Sequence, residues 1–230
     1  MRILPRLSRE SGRDYAFRVI KDNIIHLDLA PCTLISENEL ASELGLSRTP
    51  VREALIELAR YRVIEVAPQK RGMVAPIDYA LVEEARFVRN VLECAVVELC
   101  CEMATYEDLL LLSENVKLQE FYIANGPIDA IMALDDQFHE MLFSIAKKPQ
   151  AFQMVQNMAI HFNRVRNIAL ISVHDLQIVN DHRLILEAIR KRDAVQARDV
   201  VNLHLNRCKV DALTIRKEFP QYFRSETEES

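Results

Sequence analysis

The stretch that most constrains this chain runs from Leu44 to Leu55 and combines helix signals with a basic, hydroxyl-rich start. Ser47 suits the N-cap of a helix, and Pro50 is tolerated in a first turn because its missing N–H would be unpaired there anyway. The apolar residues that follow recur at helical spacing and predict one buried face: Val51, Ala54, Leu55, Leu58 and Ala59. The opposite face begins with donors for phosphate oxygens and guanine edges, namely Ser47, Arg48, Thr49 and Arg52. The alternative interpretation is an ordinary amphipathic helix with a solvated basic end.

A second short helix is predicted just upstream, where Ser36 and Glu39 form a capping-box pattern. Its buried side consists of Leu40, Ala41 and Leu44. Gly45 then supplies a tight turn into the helix that follows. Two short helices joined through a glycine-containing turn are the helix-turn-helix signature.

A β-hairpin is predicted after these helices. β-Branched residues indicate a first strand at Val63–Val66, and a second strand ends the segment at Met73–Pro76. The turn between them consists of Gln69, Lys70, Arg71 and Gly72, with Gly72 permitting the bend. A basic hairpin tip is usually a solvated turn, but beside a helix-turn-helix it is placed to contact phosphate or enter a minor groove.

Residues 34–58 resemble the winged-helix domain of GntR-family transcription regulators, and the run Ser47–Leu55 is the most specific part of the match. The resemblance implies that this part of the chain binds double-stranded DNA. In a homodimer, two recognition helices would lie about one helical turn apart on a palindromic operator. The residues expected to contact DNA are Asn38, Ser47, Arg48, Thr49, Arg52, Lys70, Arg71 and Gly72.

Beyond Ile77 the chain has helical patterns almost throughout, and Asn125–Pro127 and Lys148–Pro149 are the clearest stops. Few glycines, no tryptophan and dense aliphatic residues also favour helix. The predicted helices span residues 79–104, 106–124, 128–146, 150–171, 175–191 and 194–217.

These patterns predict a mainly α chain, in which an N-terminal winged helix-turn-helix is followed by an all-α antiparallel helical bundle. We expect a flexible arm, a winged domain, a helical domain and a frayed tail over residues 1–12, 13–76, 78–218 and 219–230 respectively. The net charge of −5 is unevenly distributed, with +2 on residues 1–76 and −7 on the rest. A mildly basic head on an acidic body fits a nucleic-acid reader joined to a part that does not touch nucleic acid.

A candidate metal site lies in the helical part. Asp135 and His139 stand four residues apart, which places both side chains on one face of a helix, where together they can hold one cation. His182 and His204 each lie eleven residues from Asp193, the predicted turn, so two antiparallel helices would bring them level. Four such ligands suit Zn²⁺ or another divalent transition metal. The alternatives are an exposed Asp–His pair and two hydrogen-bonded core histidines.

Residues 78–217 resemble the effector domain of the FadR-type GntR subfamily, the FCD domain. The matching segments are Arg89–Glu93, Asp135–His139, Asp181–Arg183, Ala188–Ile189, Asp193 and His204. The resemblance implies that a metal is bound by Asp135, His139, His182 and His204, with Zn²⁺ expected first and Ni²⁺ or Mn²⁺ as alternatives. Six predicted helices, rather than seven, resemble the VanR-like branch of that subfamily.

The same resemblance implies that a small organic acid reaches the metal through its carboxylate. A guanidinium suits the other end of that acid because it pairs bidentately with carboxylate. Arg89 is the first candidate, and the further candidates are Arg86, Arg164, Arg166 and Asn180. Each arginine can equally form an ordinary ion pair on a helix surface, and Asn180 can instead cap a helix.

The implied function is that of a DNA-binding transcription regulator and not of an enzyme. Repression relieved by the effector is the commoner behaviour in the family. Two alternatives stay open, a metal-dependent phosphohydrolase-like helical protein and a pure metal sensor. No apolar run reaches membrane-spanning length, and the five cysteines form no C-x-x-C pair, so we expect a cytoplasmic protein with no membrane partner.

Overall fold

The computed structural model describes residues 1–65, 72–172 and 177–224, and leaves aside the side chains at 124–125, 128–129, 170–172 and 208–214. The chain divides into two compact units. The first, here called the N-terminal unit, comprises Met1–Val82, Met158–Val165 and Ile215–Ser230. The second, here called the helical unit, comprises Glu83–Asn157 and Arg166–Thr214.

The N-terminal unit contains three helices and a small sheet. The helices are α1 (Gly12–Ile25), α2 (Glu37–Leu44) and α3 (Arg48–Arg60), and the strands are β1 (Leu34–Ile35), β2 (Ile64–Glu65) and β3 (Gly72–Val74). The strand order is β1-β3-β2, and both pairings are antiparallel. This is the winged helix-turn-helix that the sequence predicted.

The turn between α2 and α3 depends on Gly45, which ends α2 in the left-handed conformation at φ +65°. A residue without Cβ adopts this conformation without steric cost. At the start of α2, Ser36 Oγ accepts a hydrogen bond from the backbone N–H of Glu39 at 3.4 Å, which is one of the two hydrogen bonds of the predicted capping box. Ser47 occupies the N-cap of α3, but its side chain makes no capping hydrogen bond.

The apolar face of α3 is buried as predicted at Val51, Ala54, Leu55 and Leu58, whereas Ala59 is only partly buried. Gly72 differs from the prediction, since it is not in a turn. It is the first residue of β3 and pairs with Ile35 of β1, so the strand begins one residue earlier than predicted. The predicted hairpin tip, with Lys70 and Arg71, lies outside the described residues.

The N-terminal segment is packed against α1, which corrects the expectation of a flexible arm. The backbone N–H of Arg2 donates to Asn23 Oδ1 at 2.6 Å, and the Tyr15 hydroxyl donates to the carbonyl of Leu4 at 3.0 Å. The segment is therefore hydrogen-bonded to α1 at two separate points.

The segment after residue 218 is also ordered as far as residue 224, where a frayed tail was expected. A short 3₁₀ helix spans Pro220–Tyr222, and Phe223 is buried. The backbone N–H of Ile77 donates to the carbonyl of Tyr222 at 2.7 Å. The tail thus covers the backbone that follows β3.

Seven helices fill residues 79–218 of the described chain. They are α4 (Tyr79–Met103), α5 (Tyr106–Asn125), α6 (Ile128–Ile145), α7 (Pro149–Met158), α8 (Ile160–Ser172), α9 (Gln177–Arg190) and α10 (Ala194–Glu218). The expected single helix over 150–171 is wrong, because the helix breaks at Ala159. The count of six therefore becomes seven, which removes the argument for a VanR-like branch.

The core of the helical unit is apolar, with Phe138, Leu142, Phe143 and Ile185 fully buried. The same unit also buries a set of polar and charged side chains: Arg89, Glu93, Asn115, Gln119, Asp135, His139, Arg166, Asn167, Asp181, His182 and His204. Because buried charges are costly without partners, this concentration of polar and charged side chains indicates a functional site.

Among the described residues, none of the helices combines the length and the apolar composition that a membrane span needs.

Candidate functional site

Three helices bring the four predicted metal ligands together. Asp135 and His139 lie one turn apart on α6, His182 lies on α9, and His204 lies on α10. All four are buried, and one ligand atom from each lies within 4.8 Å of the others. The turn at Asp193 folds α10 back along α9, so that the His182 and His204 rings are 4.7 Å apart between centroids.

The outward-facing nitrogen of each histidine ring has a nearby oxygen. His139 Nδ1 lies 2.6 Å from Glu93 Oε2, and His182 Nδ1 lies 2.7 Å from Gln119 Oε1. His204 Nδ1 lies 3.6 Å from a carboxylate oxygen of Asp181. For His182, the hydrogen bond between Nδ1 and the Gln119 oxygen favours the tautomer with its proton on Nδ1, which leaves the Nε2 lone pair for a metal.

The inner atoms have the spacing that a divalent metal needs. His139 Nε2 and His204 Nε2 are 3.3 Å apart, and two ligands about 2.0–2.1 Å from a tetrahedral centre are separated by about 3.3–3.4 Å. The Asp135 carboxylate lies 3.6 Å from His182 Nε2 and 3.8 Å from His139 Nε2. Within the described chain, His182 Nε2 and Asp135 Oδ2 are buried with no hydrogen-bond partner. The residues therefore fit a transition metal.

The protonation states also suit metal binding. Burial lowers the pKa of His139 and of His182, which keeps both rings neutral. Burial would raise the pKa of the Asp135 carboxyl, but Arg166, at 3.5 Å, and the three histidine rings around it together outweigh burial and keep the pKa below its usual value. Metal ligands must be deprotonated, and at neutral pH these three are.

A buried ion pair lies directly behind His139. Arg89 Nε donates to Glu93 Oε1 at 2.5 Å, and the two residues are 5% and 1% exposed. Burial opposes ionisation of Glu93, but the Arg89 guanidinium and the His139 imidazole beside it hold its pKa at about 2. Glu93 thus links the first predicted effector residue to a predicted metal ligand.

A second arginine–carboxylate pair stands behind His204. Arg207 Nε donates to Asp181 Oδ2 at 2.7 Å, and Arg207 Nη2 donates to Asp181 Oδ1 at 3.2 Å.

The site residues that sequence reasoning missed are Glu93, Gln119, Asp181 and Arg207. Glu93 follows Arg89 by one helical turn, which is a readable signal, whereas Gln119 and Arg207 reach the site through long-range packing.

The five predicted effector residues divide into two groups. Arg89 and Arg166 are buried beside the ligand cluster, and Arg166 also pairs with Asp136 at 2.6 Å. The other three make contacts elsewhere: Arg86 pairs with Glu83 at 3.0 Å, Asn180 accepts from Arg183 at 2.6 Å, and Arg164 donates to the carbonyl of Ala75 at 2.8 Å in the N-terminal unit.

The predicted DNA-contact residues that the structure describes form an exposed polar surface, apart from Gly72 in β3. This surface consists of Asn38 on α2 and of Ser47, Arg48, Thr49 and Arg52 at the start of α3. Arg48 makes one ion pair, with Glu37 at 3.1 Å, and its side chain remains 67% exposed. The Ser47 hydroxyl, which makes no capping hydrogen bond, is exposed at the same helix end.

The fold and this exposed surface define a helix-turn-helix transcription regulator. The family "Bacterial regulatory proteins, gntR family" matches residues 14–74, and the family "FCD domain" matches residues 84–207. The chain belongs to the GntR family of transcription regulators and carries an FCD domain. Both predictions from the sequence, the family and the mainly α fold class, are thereby confirmed.

One relative at 31% identity supports this membership, and two solved structures share the fold of the chain. The HTH-type transcriptional repressor RspR of Escherichia coli (strain K12) is 31% identical over 211 residues, which cover 91% of this chain and 92% of RspR. The solved structure of E. coli McbR/YncC has a TM-score of 0.78 at 21% identity, covering 89% of this chain and 98% of that one. A putative GntR regulator from Rhodococcus sp. RHA1 has a TM-score of 0.72 at 19% identity, covering 88% and 97%.

Proposed function

We propose that this regulator is a repressor whose affinity for its operator is controlled by a small carboxylate bound beside a metal in the helical unit. The observation that supports the proposal most directly is the convergence of one carboxylate and three histidines in a buried cluster. Without a ligand, such a cluster lowers the stability of the fold, because it buries hydrogen-bond acceptors that have no donor.

Asp135, His139, His182 and His204 would hold the metal, with Zn²⁺ expected first and Ni²⁺ or Mn²⁺ as alternatives. The metal would supply a Lewis acid for one carboxylate of the effector. Arg89 and Arg166, both buried beside the cluster, would supply guanidinium groups for its remaining oxygens. A buried cation at this position strengthens the attraction for an anion because the dielectric constant is low.

The DNA side of the proposal rests on the start of α3. Ser47, Arg48, Thr49 and Arg52 would contact phosphates and base edges, and Asn38, Lys70, Arg71 and Gly72 would add further DNA contacts. A homodimer would place two such helices on a palindromic operator about one helical turn apart. The effector would act by favouring one packing arrangement of the helical unit over another, which changes the affinity of the dimer for DNA.

The test is operator binding by fluorescence anisotropy, with an operator selected from a random-sequence DNA pool. Metal-free protein is compared with protein given Zn²⁺ alone, a carboxylate probe alone (acetate, lactate or citrate), and both. We expect a large loss of operator affinity with Zn²⁺ and one probe together. The Arg89→Met variant should lose this response, whereas Arg86→Met, which removes an arginine paired with Glu83, should keep it.

Other outcomes favour the alternatives. Operator affinity that follows Zn²⁺ alone, with no dependence on any carboxylate, supports a pure metal sensor. Steady hydrolysis of a model phosphoester that is abolished by His204→Ala supports a metallohydrolase. Glu140, which follows His139 on α6, is exposed and faces away from the cluster, so it is a poor candidate for the general base of such an enzyme.

A further inference from the structure

Helix α5 exposes several large apolar side chains on its outer side. Its inner face is buried at Leu112, Asn115, Val116 and Gln119. On the outer side, five large side chains are about half exposed or more: Tyr106 (77%), Leu110 (47%), Leu111 (50%), Leu118 (47%) and Phe121 (59%). Several large apolar side chains exposed on the same side of a helix are typical of an interaction site in a soluble protein.

The centre of this face has the spacing of a coiled-coil seam. Leu110, Glu114, Lys117 and Phe121 are separated by four, three and four residues. At 3.6 residues per turn these four side chains lie within a sector of about 60°. Repeats of four and three residues are the a and d positions at which two helices interdigitate. We call these four residues the α5 seam.

We propose that the α5 seam docks against the α5 seam of a second copy of this chain, with the two helices antiparallel. A two-fold axis between residues 115 and 116 places Leu110 against the partner's Phe121, and by symmetry Phe121 against the partner's Leu110. The same axis places Glu114 against the partner's Lys117, twice. The seam is therefore complementary to itself in both charge and apolar content, as an interface about a two-fold axis requires.

The charges also select the direction of pairing. In a parallel pair, Glu114 would face the partner's Glu114 and Lys117 would face the partner's Lys117, so both polar layers would be repulsive. In the antiparallel pair both layers join opposite charges between two apolar layers. Charged residues within a seam commonly fix register and orientation in this way. This inference rests on the homodimer of the proposed function and assigns it an interface.

The experiment is a charge exchange measured by sedimentation equilibrium of the full chain. Glu114→Lys and Lys117→Glu each turn two attractive contacts of the dimer into repulsive ones, so each should raise the dimer dissociation constant at least about tenfold. The double variant Glu114→Lys/Lys117→Glu restores opposite charges across the axis and should return the constant to within about threefold of wild type. Glu120→Lys is the matched control, since it makes the same charge change about 90° away from the seam.

The inference is overturned if both single variants dimerise like wild type, or if the double variant is as weak as the weaker single. All variants change exposed side chains, so their circular dichroism and Zn²⁺ content should match wild type. Zn²⁺ binding also separates the two proposals. If the single variants lose dimerisation but keep normal Zn²⁺ content, the result supports the α5 seam and leaves the metal site unaffected. If wild-type protein dimerises but binds no metal, the result contradicts the proposed effector mechanism and leaves the α5 seam unaffected.

Discussion

The Arg89–Glu93 pair gives the sharpest prediction on stability. Both side chains are almost fully buried and lie 2.5 Å apart, so neither charge has bulk water as a substitute partner. Removing one member of a buried pair typically costs about 3–5 kcal/mol, because the other charge stays buried and loses its nearest opposite charge. We expect Glu93→Gln to lower the free energy of unfolding by about 4 kcal/mol. With a urea slope of about 2 kcal/mol per M, the unfolding midpoint falls by about 2 M.

The double variant Arg89→Met/Glu93→Leu separates pairing from burial. It removes both charges and keeps apolar volume, so it should cost clearly less than the sum of Arg89→Met and Glu93→Leu measured singly. The assay is urea unfolding in the presence of a chelator, followed by circular dichroism, which removes any contribution of bound metal. The argument that the two charges compensate each other would be refuted by either of two results. One is a double variant whose loss in free energy of unfolding equals the sum of the single losses, and the other is a loss below about 1 kcal/mol for Glu93→Gln.

Three further predictions concern separate parts of the chain. Arg48→Ala should cost about 1–3 kcal/mol of specific operator binding in an anisotropy titration if Arg48 reads a guanine, whereas Arg60→Ala at the far end of α3 should not. Asp181→Asn, which weakens the partner of His204, should reduce Zn²⁺ affinity by about 10–100-fold in competition with a chelator, and an unchanged affinity would contradict that support. Burial lowers the pKa of His161 to about 4, so its neutral form stabilises the fold above pH 6.5 and this stability is lost as the pH falls towards 4. The loss at pH 5 is about 2 kcal/mol, and His161→Gln should remove that part of the pH dependence in urea unfolding.

The sequence predicted that the four candidate metal ligands lie close together, because their geometry is nearly local. The spacing of Asp135 and His139 fixes their relation on one helix. His182 and His204 are equidistant from the turn at Asp193, so one assumption, an antiparallel return, places them level. The structure contains that return, and the four side chains meet.

Other features depend on contacts that no local pattern records. The break at Ala159 carries no glycine or proline that could signal it. Arg164 looked like a candidate for effector binding, but its guanidinium is fully buried in the N-terminal unit, where it donates to the carbonyl of Ala75. The order of the N-terminal segment likewise follows from hydrogen bonds to α1, such as that from Arg2 to Asn23, between residues far apart in sequence.

The most direct test of the whole account is the metal content of the purified protein, measured by inductively coupled plasma mass spectrometry. The variant is His182→Ala/His204→Ala, and the control is His26→Ala, which removes a histidine of α1's C-cap in the N-terminal unit. We predict about one divalent metal per chain in wild type and in the control, and none in the double variant. A wild-type protein that stays metal-free after incubation with Zn²⁺, Ni²⁺ or Mn²⁺ would contradict the proposed metal–carboxylate mechanism.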